Sequence, residues 1–313
     1  MVKIALAGAS SELAKEILDK LVATQKHEII ALDLKKFPSS PGVEWVQTTY
    51  EDKAELSQLL KGVDTVICFF WDAETSKRLI DAAVDAGVRR YVPSEFGTGV
   101  ETEACLDVLS WYAPKIEVGH YLENLNKEKK VIEYTKFQYG GYTNYLGYPH
   151  QTSKYITTFP VQFNFEKMHA LLVEGSLDDQ ITFTTVDDVV NVIAGALEYE
   201  GEWPVVGGIR GSNVTVKQIL EMGGRIRGKP FEIEWLKKED LEAGELKTDN
   251  YARLPFASVP KDALEPFSTL VHRGYLLSVG RGAWTVSDEW NKLLPDYEFT
   301  QVEDFLKTVW AGK

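Results

Sequence analysis

Cysteine is almost missing from this chain. Cys68 and Cys105 are the only two in 313 residues, so no disulfide framework organises the fold, and a reducing, cytoplasmic location is expected. Positive charge is scarce as well: 34 Lys and Arg stand against 47 Asp and Glu, a net charge of −13. A surface of that sign argues against nucleic acid or an anionic membrane as the main partner, because phosphate groups recruit Lys and Arg. Long hydrophobic runs are absent, and nothing approaches the roughly 20 apolar residues of a membrane span. The short apolar run at the N-terminus leads straight into a glycine turn, which reads as a first strand and not as a signal peptide. The five histidines, His27, His120, His150, His169 and His272, share no ligand spacing with each other or with the cysteines, so no metal site is expected. There is no Gly-x-Ser-x-Gly elbow, no Walker loop, no internal repeat and no low-complexity tract.

What is present is a core-forming composition, 44% hydrophobic, in a chain long enough for two domains. The first ~150 residues alternate strand-like and helix-like patterns, the mark of a parallel α/β sheet. "KIALAG", "HEIIALDL", "VEWVQTTY", "DTVICFF", "VRRYVPSEFG" and "VIEYTKFQYGGY" read as six strands, the last with a Gly-Gly break. The segments between them read as helices, one ending at Gly62, one closed by Gly87 just past its end, and "KIEVGHYLENLNK" with Pro114 in its first turn. After ~147 the pattern changes. Residues 148–165 are rich in aromatics, Thr and Pro and read as a long loop, and 239–270 read as helical or loop-like. Thr185 or Asp187, Thr215 and Thr300 are expected helix caps. The expected architecture is a doubly wound parallel α/β sheet over residues 1–147, rejoined by about 183–200. A smaller α+β substrate domain, 148–313, lies over the sheet's carboxyl edge, where open α/β sheets bind ligands.

The first strand-to-helix turn, "GASSELA", has the spacing Gly8-x-x-Ser11-x-x-Ala14. Gly8 makes the tight turn, Ala14 is the smallest replacement where a helix packs closely on a sheet, and Ser10 and Ser11 bring hydroxyls that donate to phosphate oxygens. The helix N-terminus adds free N–H groups and the positive end of a dipole. Glu12 opposes this, since a carboxylate beside a pyrophosphate repels it. The loop by itself is either a substituted phosphate-binding turn or a plain βα turn. Asp33 ends the second strand and is either a ribose hydroxyl ligand, as in NAD sites, or a solvated strand end. Lys35 and Lys36 follow Asp33 and Leu34, and they are placed to meet a 2′-phosphate instead.

"LIDAAVDAGVRRYVPSEFG" (79–97) resembles a recurrent stretch of the isoflavone-reductase-like and NmrA-like group of atypical short-chain dehydrogenases. "KGVDTVI" (61–67), "KIEVGHYLE" (115–123), "IEYTKFQYGGYTNYL" (132–146), "FTTVDDVVNVIAGAL" (183–197) and "LLPDYEFTQVEDFL" (293–306) are similar to other segments of that group, so the resemblance spans nearly the whole chain. It implies a Rossmann-type domain and NADPH as the usual reductant; Asp33 keeps NAD open. It also implies reduction of small aromatic or secondary-metabolite molecules, assisted by a lysine at the start of the helix after the Pro-Ser-Glu-Phe-Gly loop. The matching position is Lys115. Tyr112 lies three residues before it, one short of the ordinary Tyr-x-x-x-Lys spacing, and is expected as a pocket wall whose phenol reaches a carbonyl. The resemblance places Gly8, Ala9, Ser10, Ser11, Glu12, Leu13, Asp33, Leu34, Lys35, Phe69, Phe70, Trp71, Glu95, Phe96, Lys115, Gln138, Tyr139 and Gly140 on the cofactor. Within that set, Phe70 and Trp71 lie toward the adenosine half and Gln138, Tyr139 and Gly140 toward the nicotinamide.

Trp111, Tyr112, Tyr142, Tyr145, Tyr148 and Phe159 come from segments at or after strand ends and are expected to line an apolar pocket for a flat substrate. His120 is expected in packing or solvent. Two other roles are implied by the same resemblance: a redox sensor that binds the dinucleotide and partner proteins without turnover, and a biosynthetic enzyme with no net redox change. A monomer or homodimer is expected.

Overall fold

The structure, a computed structural model, describes residues 2–38, 40–254 and 259–313. Part of the 239–270 segment, residues 255–258, lies outside the described residues. Strands β1 (Lys3–Ala7), β2 (Glu28–Asp33), β3 (Val43–Gln47), β4 (Thr65–Cys68), β5 (Arg90–Val92) and β6 (Glu133–Tyr134) form one parallel sheet in the order 3-2-1-4-5-6. The order reverses between β1 and β4, which makes the crevice at their carboxyl ends a topological switch point.

Both faces of this sheet are covered, so its strands are apolar on both sides. Ile4 and Leu6 of β1 face α1 (Glu12–Thr24), while Ala5 and Ala7 face α2 (Lys53–Leu59), α3 (Ala73–Asp85) and α4 (Ala113–Leu125). Gly87 follows α3 with φ +75°, the left-handed stop that glycine adopts without strain. The "VIEYTKFQYGGY" segment is not one strand. It splits into β6, β7 (Lys136–Gln138) and β8 (Gly141–Tyr142), each in a different sheet. Gly140, at φ +73°, makes the second break, and a side chain there would collide with the carbonyl of Thr182.

The second half supplies β9 (Phe163–Asn164), β10 (His169–Val173), β11 (Gln180–Thr184), α5 (Val186–Glu198), β12 (Val206–Gly208), β13 (Ser212–Thr215), α6 (Val216–Arg227), β14 (Glu232–Leu236), α7 (Lys238–Glu242), α8 (Leu264–Val279), α9 (Glu289–Leu293) and α10 (Val302–Trp310). Its strands form small sheets, β14-β10-β9 and β13-β11-β8, and β12 pairs with β7. Helix α5 packs on α1, and its apolar face joins Trp203, Ile209 and Trp290 in the core beneath β1. Buried Arg90 fastens the two halves: it pairs with Glu133, donates to the carbonyls of Tyr199 and Gly201, and lies on the Trp203 ring.

Thr185 caps α5 by accepting from the Asp188 N–H, and Thr215 with Gln218 forms a reciprocal capping box on α6. Thr300 is not the cap of α10. Gln301 holds that position, and the Thr300 N–H donates instead to the buried carboxylate of Asp188, which also accepts from Tyr297. The segments "FTTVDDVV" and "DYEFTQ" thus meet at one buried acidic group.

Candidate active site

The sheet's carboxyl edge is assembled from short loops tied to each other. The loop after β5, Pro93–Gly97, is joined to the segment after β7 by hydrogen bonds from the Tyr139 and Gly140 N–H groups to the Gly97 carbonyl. Phe96 stacks on Phe69 at the end of β4, with ring centroids 5.3 Å apart. Helix α4 begins directly beside this junction, with Pro114 in its first turn where no N–H is needed. That start carries Lys115 inward: it is 6% exposed.

Among the described residues Lys115 Nζ has no hydrogen-bond or ion-pair partner. It lies instead over aromatic faces, 4.2 Å from the Trp71 ring centroid and 5.4 Å from that of Tyr112. Burial pushes its pKa down to about 8, opposed by the charge of Glu95. Glu95 is itself buried, and its carboxyl is pushed up to about 7 by burial, opposed by Lys136 and Lys115. The Glu95 carboxylate stands 3.8 Å from Lys136 Nζ. A β-carbon on Gly119 would meet it at 2.5 Å, so Gly119 gives α4 room to pass this group. Tyr112 is half-buried, and burial raises its phenol to about 12, which keeps it a hydrogen-bond donor at neutral pH.

Lys115, Tyr112 and Trp71 form one wall of a cavity of about 510 Å³, within the roughly 300–1,000 Å³ of small-molecule sites. Trp111, Tyr139, Gly140, Tyr142, Tyr145 and Phe159 also line it, and the half of the chain after residue 147 adds Val161, Gln162, Phe163, Phe183, Tyr275 and Trp284. The Tyr139 hydroxyl donates to that of Tyr142, and their rings stack at 4.7 Å. Tyr145 stands edge-on to Tyr142 and packs on Phe159. One sequence expectation needs correction. Tyr148 is not in the cavity wall, because the chain turns away after Gly147 into Tyr148–Pro149. Trp71 lines the cavity, and its ring, on a residue 54% exposed, covers Lys115. Gln162 was not singled out from sequence, since a glutamine in a mixed loop carries no periodic or motif signal. Gln138 is buried but outside the cavity wall. His120 lies half-exposed on the outer side of α4, 3.0 Å from Glu103.

The Gly8–Leu13 loop forms a separate feature at the start of α1. Gly8 has φ +79°, and a side chain there would press on Phe70 at 3.1 Å. The Gly8 N–H donates to the Tyr50 hydroxyl and the Leu32 carbonyl, and the Ala9 N–H to the same carbonyl. Asp33 is buried and not solvated: its carboxylate accepts from the Ser10 and Lys35 N–H groups and braces the loop. Leu34 is exposed at the rim beside Lys35. Ser11 holds the N-cap position but makes no capping bond, and its hydroxyl oxygen is buried without a partner among the described residues. Glu12 is turned outward, where Thr157 donates to it through both its N–H (3.0 Å) and its hydroxyl (2.6 Å). The Tyr155 N–H donates to Glu16, and Lys154 pairs with Asp19, so residues 154–157 lie clasped along α1.

Fold and cavity define the class of protein: a Rossmann-type scaffold with an apolar chamber of small-molecule size at the switch-point edge. The chain belongs to the NmrA-like family, which matches residues 2–306. Oxidoreductase aprR of Aspergillus flavus is 31% identical over 188 residues, spanning 56% of this chain and 57% of aprR, so the match covers little more than half that protein's length. The solved structure of AtPrR2 with NADP+ and (+)pinoresinol shares the fold at TM-score 0.70 and 18% identity, covering 98% of both chains. That of the triphenylmethane reductase of Citrobacter sp. complexed with NADP(H) does so at TM-score 0.67 and 18% identity, covering 98% of this chain and 99% of that one. Among the described residues no helix is long and apolar enough to cross a membrane, and no group of His, Cys, Asp and Glu is placed to hold a metal ion.

Proposed function

We propose that this protein is an NADPH-dependent reductase of a flat, oxygenated aromatic molecule, with Lys115 as the proton donor. One observation carries the reading: a buried lysine, without a hydrogen-bond or ion-pair partner among the described residues, forms part of the wall of a largely apolar and aromatic cavity at the switch-point edge. A structural lysine in such a place would be paired, because an isolated buried charge is costly.

The phosphate loop fits a dinucleotide. Gly8 leaves the turn open, the first turn of α1 has no side-chain cap, and the orphaned Ser11 hydroxyl supplies a donor. Glu12 does not oppose an anion there, since Thr157 holds its carboxylate outward. Gly8 through Leu13 would hold the pyrophosphate, with Lys35 and Lys36 at the rim for a 2′-phosphate. Lys35 and Lys36 beside Asp33 favour NADPH over NADH, while the Asp33 carboxylate accepts one backbone N–H on each oxygen. When bound, the cofactor supplies a hydride to the substrate.

The chain's own residues do the rest. The aromatic rings of the cavity stack a flat substrate. Lys115, still largely protonated at neutral pH, donates a hydrogen bond and then a proton to the oxygen on which charge develops, and it recovers the proton from solvent. Tyr112 keeps its proton and donates a second hydrogen bond at the same wall. A non-catalytic sensor would need neither the lysine nor the cavity. The reading is tested by following loss of reduced-nicotinamide absorbance with a flat aromatic ketone or quinone. Turnover by the native protein and none by Lys115→Met supports it, whereas undiminished turnover by Lys115→Met removes the lysine from the chemistry.

A further inference from the structure

Of the polar side chains in the cavity wall that the reaction does not use, Gln162 is the one that carries a buried atom without a hydrogen-bond partner among the described residues. Gln162 is 4% exposed, lines the cavity, and its amide oxygen has no hydrogen-bond partner among the described residues. Other buried orphans exist, Glu95, Gln138 and Ser11 among them, but Gln162 alone of that set belongs to the cavity wall. Its backbone is fixed: its carbonyl accepts from the Leu171 N–H at 2.9 Å, and the next residue, Phe163, pairs with Ala170 in β10. The amide is therefore held by strand pairing in a wall otherwise made of Val161, Phe163, Phe183, Tyr275 and Trp284. Leaving a buried amide unpaired is costly, and buried polar side chains are almost always satisfied, by protein, water or ligand.

We infer that Gln162 is a specificity-determining residue that hydrogen-bonds an oxygen substituent of the substrate, a second one besides the oxygen served by Lys115. This rests on the reading of the cavity as the substrate chamber. Lys115 and Tyr112 come from the first half of the chain, and Gln162 from the second. A substrate held by both carries oxygens at two separate places on an aromatic frame. An amide can turn over to offer either its N–H₂ or its oxygen, so it serves a phenol or a carbonyl equally well. The preferred class is thus a di-oxygenated polycyclic aromatic, and a frame with a single oxygen leaves the amide unpaired. Sites built to bond a substrate hydroxyl reject the analogue that lacks it for this reason.

Calorimetric titration of 2,6-dihydroxynaphthalene, 2-naphthol and naphthalene into the native protein and Gln162→Leu tests this without any turnover. The native protein should bind the diol about ten-fold more tightly than 2-naphthol, the worth of one good hydrogen bond. Gln162→Leu should lose that preference and keep its affinity for naphthalene. Because the amide oxygen has no partner to lose among the described residues, the same variant should melt no lower than the native protein. An unchanged diol preference, no diol binding to the native protein, or a clear drop in melting temperature each overturns the inference. Neither readout uses NADPH or turnover, so failure here leaves the reductase reading standing, and failure of the Lys115→Met turnover test leaves these titrations to be judged separately.

Discussion

Lys115 pays for its place in stability. A base whose folded pKa sits near 8 against an ordinary 10.5 is less protonated in the folded state than in the unfolded chain between those values. Its contribution to stability therefore grows as pH rises through that window, and the full burial penalty stands below about pH 8. The same value sets the activity profile. In the proposed reduction the acid form is the working form, so kcat/KM should be flat below about pH 8 and fall about ten-fold per pH unit above it. Glu95 holds charge on Lys115, so Glu95→Gln should move that falling limb to lower pH, and a limb that stays in place in a pH–rate series would show that the carboxylate does not act on the lysine. Lys115 stood out in the sequence only through the family resemblance carried by "VPSEFG" and "KIEVGHYLE", because a lone lysine at a helix start is ordinarily a solvated charge. Gln162 was not legible at all: what marks it is the absence of a partner, a property of packing and not of residue order.

Helix α1 and the segment beside it show how an unfavourable loop residue is accommodated. Glu12 stands at the first turn of a helix whose N-terminus is suited to an anion, and the strap at 154–157 draws its carboxylate away through Thr157. Thr157→Val removes one of the two donors. NADPH affinity should fall about three- to ten-fold in a fluorescence titration while the fold persists, in line with one charge-assisted hydrogen bond lost. Equal affinity would mean that Glu12 does not need restraint. Strands, helices and most caps followed from local pattern: apolar runs for two-sided burial, Gly87 as a stop, Thr185 and Thr215 as caps. Thr300 and the split of the sixth strand did not, because each is decided by a distant partner, Asp188 in one case and β11 and β12 in the other. Glu12 looked hostile to phosphate for the same reason, since Thr157 is 145 residues away.

The molecule as a whole is less divisible than its sequence looks. One face of the main sheet is covered by α1 together with α5, Trp203 and Trp290, all but α1 from beyond residue 185. A fragment ending at residue 147 exposes that face, so it should show no cooperative unfolding transition by circular dichroism, and a sharp transition would mean that the first half folds alone. The change of composition near residue 147 marks where the second part of the cavity wall begins, not where the core ends. The central claim is that the cavity is a catalytic chamber built around a lysine kept there at a cost. Its most direct test measures NADPH turnover and melting temperature together for Lys115→Met at pH 7. Turnover reduced at least about 100-fold with a melting temperature raised by a few degrees is the predicted result, the signature of a group retained for function against stability. Retained turnover, or lost turnover accompanied by a lowered melting temperature, would contradict it.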